Sequence, residues 1–133
     1  LRVGYGLAHA DVIALFNRVR QPFNVNQLAL AGAAAALNDE EFIVKSFDVN
    51  TRGMQQLIDA FTKMRLEFIP SFGNFVCVKV GDAGVIFQKL LKAGVIVRPV
   101  ANYGMPQYLR ISIGTESQNA KFLAALKETL PNC

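Results

Sequence analysis

Leu66-Glu67-Phe68-Ile69-Pro70-Ser71-Phe72-Gly73-Asn74-Phe75-Val76-Cys77-Val78-Lys79-Val80 reads as strand, turn, strand. Leu66 to Pro70 is strand-like, Ser71-Phe72-Gly73 carries turn chemistry, and Asn74 to Val80 is a β-rich run. Gly81-Asp82 then opens a helix through about Ala93, which Gly94 stops. Val95 to Val100 is a further strand, Ala101 to Pro106 a loop, and Tyr108 to Ile113 another strand. Gly114-Thr115 leads into a last helix from Glu116 to about Leu130, and Pro131 terminates it. This β-β-α-β-β-α order predicts an α+β layer, a small, mostly antiparallel sheet with helices packed on it.

Upstream of that layer the periodicity is helical. Asp11 is a candidate N-cap for a short helix through Val19, with Val12, Leu15, Phe16 and Val19 on one face, and Pro22 ends it. Asn24 or Asn26 can cap an Ala-rich helix from about Gln27 to Leu37. Asp39-Glu40-Glu41 begins a long helix with its acidic residues well placed in the first turn. Phe47, Met54, Leu57, Ile58, Phe61 and Met64 form its single apolar stripe. Gly53 weakens that helix by about 1 kcal/mol relative to Ala and marks where it could break. The opening run Leu1-Arg2-Val3-Gly4-Tyr5-Gly6-Leu7-Ala8 reads as a strand. It carries no initiator Met and begins mid-strand, so the chain is expected to be a fragment.

Composition narrows the class. The chain has 133 residues, 52% of them hydrophobic and 18% charged, and its mean hydropathy is +0.27. That excludes intrinsic disorder and leaves the chain greasier than an ordinary free-standing domain, so part of its apolar surface is expected to pack against something else. Fourteen Lys and Arg against ten Asp and Glu give a net charge of +4. The cations are scattered rather than clustered, so a nucleic-acid partner is not expected. No apolar run approaches the roughly 18 residues of a membrane span. The cysteines, Cys77 in a strand and Cys133 at the end, make neither a disulfide framework nor a metal cluster. The cytoplasm is the expected compartment.

Most catalytic constellations are missing. His9 has no second ligand at zinc spacing and reads as a surface residue near a helix start. Gly4-Tyr5-Gly6 fails as a dinucleotide fingerprint, because the third glycine position is His9. Three arginines differ from the other charges. Arg2, Arg98 and Arg110 each stand in a strongly apolar strand, where a cation is costly unless it is paired or faces a cleft. The planar guanidinium suits carboxylate and phosphate, so an anionic small-molecule site is one reading. Local pairing with Asp or Glu is the other.

Five segments in order carry a resemblance: Leu1-Arg2-Val3-Gly4-Tyr5-Gly6, Gln21-Pro22-Phe23-Asn24-Val25-Asn26, Ser71-Phe72-Gly73-Asn74-Phe75, Gly94-Val95-Ile96-Val97-Arg98-Pro99, and Tyr108-Leu109-Arg110-Ile111-Ser112-Ile113-Gly114-Thr115. Together they resemble the C-terminal part of the fold-type I pyridoxal-phosphate aminotransferases, most closely the histidinol-phosphate aminotransferases. The resemblance implies the family's α/β fold. It divides the chain into a remnant of the large cofactor-binding domain (1–37), a domain-linking helix (38–65) and the C-terminal small domain (66–133).

By that resemblance Arg2 would hold the phosphate of pyridoxal 5'-phosphate. Arg98 would meet the substrate phosphate and Arg110 a substrate carboxylate or phosphate. Asn74, Tyr103 and Asn24 would lie near the site or the domain interface. The implied reaction passes an amino group between L-glutamate and imidazole acetol phosphate in histidine biosynthesis, and the intact enzyme would be a homodimer. The Schiff-base lysine is expected upstream of Leu1, so no catalytic residue is assigned here and the fragment alone is expected to be inactive. Lys45, Lys63, Lys79, Lys89, Lys92, Lys121 and Lys127 stand in no such motif. Within the fold, an aromatic or broad-specificity aminotransferase or a threonine-phosphate decarboxylase is an alternative. Outside it, a non-catalytic anion-binding module is another.

Overall fold

The structure, a computed structural model, describes residues 1–130. The expectations placed on Pro131 and Cys133 lie outside the described residues. The chain divides between Val44 and Lys45 into two compact units.

The first unit is helical. α1 (Ala10–Val19) begins one residue before the expected cap: His9 is the N-cap, and its Nδ1 accepts from the Asp11 N–H at 3.4 Å. α2 (Gln27–Leu37) is capped by Asn26, whose Oδ1 accepts from the Ala29 N–H at 2.8 Å. The opening run is not a strand, because residues 1–9 carry neither helix nor strand. Its alternation has no ladder to join among the described residues of this unit, and an extended segment needs a paired neighbour to hold its N–H and C=O groups. Arg2 therefore sits on irregular backbone at φ 58°, exposed.

α3 (Glu40–Lys63) starts at the end of the first unit and continues into the second without a break at Gly53. A Cβ at Gly53 would stand 2.6 Å from Ile113 Cγ2 and 2.9 Å from both Asn119 Nδ2 and the Gly114 carbonyl oxygen. The glycine is there for close approach rather than for a kink.

The rest of the second unit follows the expected order of elements. β1 (Phe68–Ile69), β2 (Phe75–Lys79), α4 (Ala83–Lys92), β3 (Arg98–Pro99), β4 (Tyr108–Ser112) and α5 (Glu116–Thr129) succeed one another, with a 3-10 turn at Ala101–Tyr103. The sheet order is β1-β2-β4-β3 and every pairing is antiparallel. β1 and β3 are shorter than their apolar runs because the helix ends consume their first amides. Leu66 N–H closes α3 on the Phe61 carbonyl at 2.9 Å, and Val95 N–H closes α4 on that of Leu90 at 2.9 Å. Gly94, at φ 72°, makes the second of these closures in the conformation only glycine adopts freely.

Strand alternation splits the sheet into two faces. Val76, Val78, Leu109 and Ile111 point into the core, against Leu57 and Phe61 of α3, Ile86 and Leu90 of α4, and Phe122, Ala125 and Leu126 of α5. The other face carries Phe75, Cys77, Lys79, Tyr108, Arg110 and Ser112, none of them buried. Helices thus cover one side of the sheet within this unit. Among the described residues no helix is long and apolar enough to cross a membrane.

Candidate functional site

The open face of the sheet is built in rows, because residues directly opposed across antiparallel strands project to the same side. Ile69 faces Cys77, Cys77 faces Arg110, and Arg110 faces Arg98. The two arginines expected to bind anions, twelve residues apart in sequence, are thereby cross-strand neighbours. No ion pair joins either of them to a carboxylate among the described residues. The local-pairing reading therefore finds no partner for Arg98 or Arg110.

The adjoining row is charge-compensated. Lys79 Nζ donates to Glu67 Oε2 at 2.9 Å, and the Tyr108 hydroxyl donates to Glu67 Oε1 at 2.6 Å. The Tyr108 hydrogen bond, then Lys79, hold the Glu67 carboxyl below its ordinary value. The row of Arg110 has no such carboxylate. Its organiser is aromatic: the Arg110 guanidinium carbon lies 5.0 Å from the centroid of the Phe75 ring. A ring face attracts the cation and fixes its plane while leaving the N–H edge available for a bidentate acceptor. Cys77, half-buried beside Arg110, has its thiol pushed up by burial, an effect the Arg110 charge opposes.

The remaining expected residues are more dispersed. Asn74 immediately precedes β2, exposed, and its carbonyl accepts from the Ile113 N–H at 2.8 Å. Its side chain makes no hydrogen bond to either arginine among the described residues. Tyr103 lies in the 3-10 turn five residues after Arg98 and is 60% exposed. Arg2 and Asn24 belong to the first unit, both exposed. A groove of about 510 Å³ between α3 and the start of α5, lined by residues including Arg52, Gln56 and Thr115, lies apart from the two arginines.

Sequence pattern alone does not single out Phe75, the Glu67–Lys79–Tyr108 trio or the buried Asn119. Period-2 alternation through Phe75-Val76-Cys77-Val78-Lys79 places Phe75 and Lys79 on one face. Their partners on β4 follow only from register, which no local pattern states.

The described residues do not form a site for a Schiff-base cofactor. A lysine that forms such a bond works from a shielded position with a depressed pKa. Six of the lysines are exposed, and the seventh, Lys79, is tied to Glu67, which raises its pKa. Arg2, which the resemblance assigns to the cofactor phosphate, is exposed on irregular backbone.

The family model for aminotransferase class I and II matches residues 1–126. Histidinol-phosphate aminotransferase 1 of Dechloromonas aromatica is 57% identical over 130 residues, 98% of this chain and 36% of that protein. The enzyme of the same name from Thiobacillus denitrificans is 58% identical over 130 residues, 98% of this chain and 34% of that protein. Among solved structures, histidinol-phosphate aminotransferase from Sinorhizobium meliloti in complex with pyridoxal-5'-phosphate is 26% identical. It superimposes with a TM-score of 0.73 over 90% of this chain and 34% of that one. The chain thus spans about a third of the length of the relatives it matches.

Proposed function

The chain belongs to the class I and II aminotransferase family, and from that premise we propose that it is the C-terminal part of a histidinol-phosphate aminotransferase. The proposed reaction is amino transfer between L-glutamate and imidazole acetol phosphate. Two relatives of that name at 57 and 58% identity support the substrate class. The observation that carries the reading is the cross-strand pair Arg98–Arg110, two guanidiniums on one face with no carboxylate partner among the described residues.

The chemistry suits that pair. Glutamate carries a second carboxylate and the keto substrate a phosphate, and both must use one cleft in alternate half-reactions. Rigidly mounted arginines accept either group. In this assignment Arg98 meets the phosphate, and Arg110, oriented by Phe75, meets the carboxylate. Asn74 and Tyr103 border the substrate, and Arg2 holds the cofactor phosphate. Pyridoxal phosphate is the electron sink of transamination, and this chain's share of the work is to bind and orient anions.

We assign residues 1–37 to the end of the large domain, 38–65 to the linking helix and 66–133 to the small domain. The helices that precede Glu40, the unbroken α3 and the strands that begin at Phe68 support that division. The intact enzyme would be a cytoplasmic homodimer. The chain alone would be inactive, since none of its lysines suits Schiff-base chemistry.

The test is to express the complete polypeptide carrying this chain, with pyridoxal phosphate, and assay it with histidinol phosphate and 2-oxoglutarate. The proposal expects glutamate formation with histidinol phosphate preferred over unphosphorylated amino acids. Glutamate formation with a clear preference for aromatic amino acids would replace the substrate assignment. Phosphate binding without any amino transfer would leave a plain anion-binding module.

A further inference from the structure

Asn119 is the one buried polar residue among those described, 2% exposed on the first turns of α5. Its side chain is fully engaged. Oδ1 accepts from the Gly114 N–H at 2.9 Å. Nδ2 donates to the Gly114 carbonyl at 3.2 Å, to Gln56 Oε1 at 3.1 Å and, more weakly, to the Gly53 carbonyl at 3.4 Å. One amide therefore grips both backbone groups of Gly114 and ties them to α3. The close approach at Gly53 leaves the clamp little room to slide, since Ile113, Asn119 and Gly114 all press on that position.

Gly114 is the second residue beyond β4, four from Arg110. Between them, Ile113 N–H closes the ladder on the Asn74 carbonyl at 2.8 Å. The other strand of that ladder is held by α3 as well: Asn50 Nδ2 donates to the Gly73 carbonyl at 3.2 Å. Asn50 and Gly53 are one helical turn apart and face the same way. α3 thus anchors the same end of β2 and β4, the end where Phe75 carries Arg110.

We propose that Asn119, with Asn50, is a positioning residue for Arg110: the two amides pin the ends of β4 and β2 to α3 and so set the guanidinium on the Phe75 ring at the height the substrate anion requires. This rests on the reading of Arg110 as an anion-binding residue. A displacement of about 1 Å in a binding group lowers turnover or affinity by up to two orders of magnitude. Loss of the clamp is therefore expected to weaken anion binding beyond any loss of stability.

The test uses the full-length holoenzyme and four variants: Asn119→Ala, Asn50→Ala, Arg110→Ala and Leu126→Ala. Leu126 lies on the same helix, fully buried and outside the clamp, so its truncation loosens the fold without touching Gly114. Each variant is assayed at the same interval below its own melting temperature. The expected result is a KM for the anionic substrate raised about tenfold by Asn119→Ala and severalfold by Asn50→Ala, with kcat falling less and KM unchanged in Leu126→Ala. If Asn119→Ala does not fold, Asn50→Ala decides, because its single hydrogen bond is the gentler loss. An unchanged KM in the clamp variants, or the same change in Leu126→Ala, overturns the proposal while Arg110→Ala still raises KM. An unchanged KM in Arg110→Ala overturns the anion-binding reading and this proposal with it.

Discussion

Arg98 and Arg110 stand directly opposite one another on β3 and β4, two cations on one face of the sheet. Like charges in that relation are destabilising, and no carboxylate offsets them among the described residues. The arrangement makes physical sense when an anion completes it. At low ionic strength Arg98→Gln is expected to raise the melting temperature of this chain, and added inorganic phosphate to raise that of the unaltered chain more than that of the variant. The gain from Arg98→Gln should fade in high salt, which screens the repulsion. Thermal denaturation at two salt concentrations, with and without phosphate, measures both.

Gly53→Ala sets helix propensity against space. Propensity alone favours alanine in mid-helix by about 1 kcal/mol. The new methyl would lie 2.6 Å from Ile113 Cγ2 and 2.9 Å from a backbone carbonyl, and overpacking of that kind costs about 1–3 kcal/mol. Sterics should win, with a lowered denaturant midpoint in urea unfolding.

Arg65→Gly should act in the other direction. Arg65 ends α3 at φ 55°, donating to the Thr62 carbonyl at 3.0 Å. That is the helix-closing position which favours glycine, and a side chain there costs about 1 kcal/mol. The variant is expected to be more stable by somewhat less than that, since glycine also frees the unfolded chain. A higher melting temperature by calorimetry checks it.

The Glu67–Lys79–Tyr108 row should show in the pH dependence of stability. Glu67 titrates below its ordinary 4.5, mainly through the Tyr108 hydrogen bond. Its contribution is complete above 4.5 and is lost as the pH falls through the lower folded value. Tyr108 is raised above 10.0 and Lys79 above 10.5, in both cases first by the hydrogen bond to Glu67. Their contributions are complete below those ordinary values and are lost as the pH rises through the raised ones. Glu67→Gln should therefore lower the melting temperature between about pH 5 and 10, with the difference closing at both extremes.

How much of this was legible beforehand follows the range of the interactions. The helix ends at Asp82, Gly94 and Thr115 were readable because capping is local. The order of strands from Phe68 to Ser112 was readable because alternation and turn residues mark it. The opening run misled because a strand is defined by its neighbour, and no alternation of Leu1 to Ala8 can supply one. Gly53 looked like a weak point, and its reason lies sixty residues away in Ile113 and Asn119. Arg98 and Arg110 stand out in the sequence as cations in apolar strands, but their opposition, the Phe75 ring beneath Arg110 and the Asn119 clamp all depend on register and packing. Those are long-range facts.

The central claim, that this face grips a phosphate through Arg98 and a carboxylate through Arg110, is tested most directly in the full-length holoenzyme by Arg98→Ala. The measurement is kcat/KM for histidinol phosphate and for an unphosphorylated amino acid that the enzyme also accepts. A lost charge-assisted contact to phosphate is worth about 1.5–3 kcal/mol, roughly 10- to 150-fold. The expected result is a loss of that order for histidinol phosphate with little change for the unphosphorylated substrate. Equal losses for both would contradict the assignment.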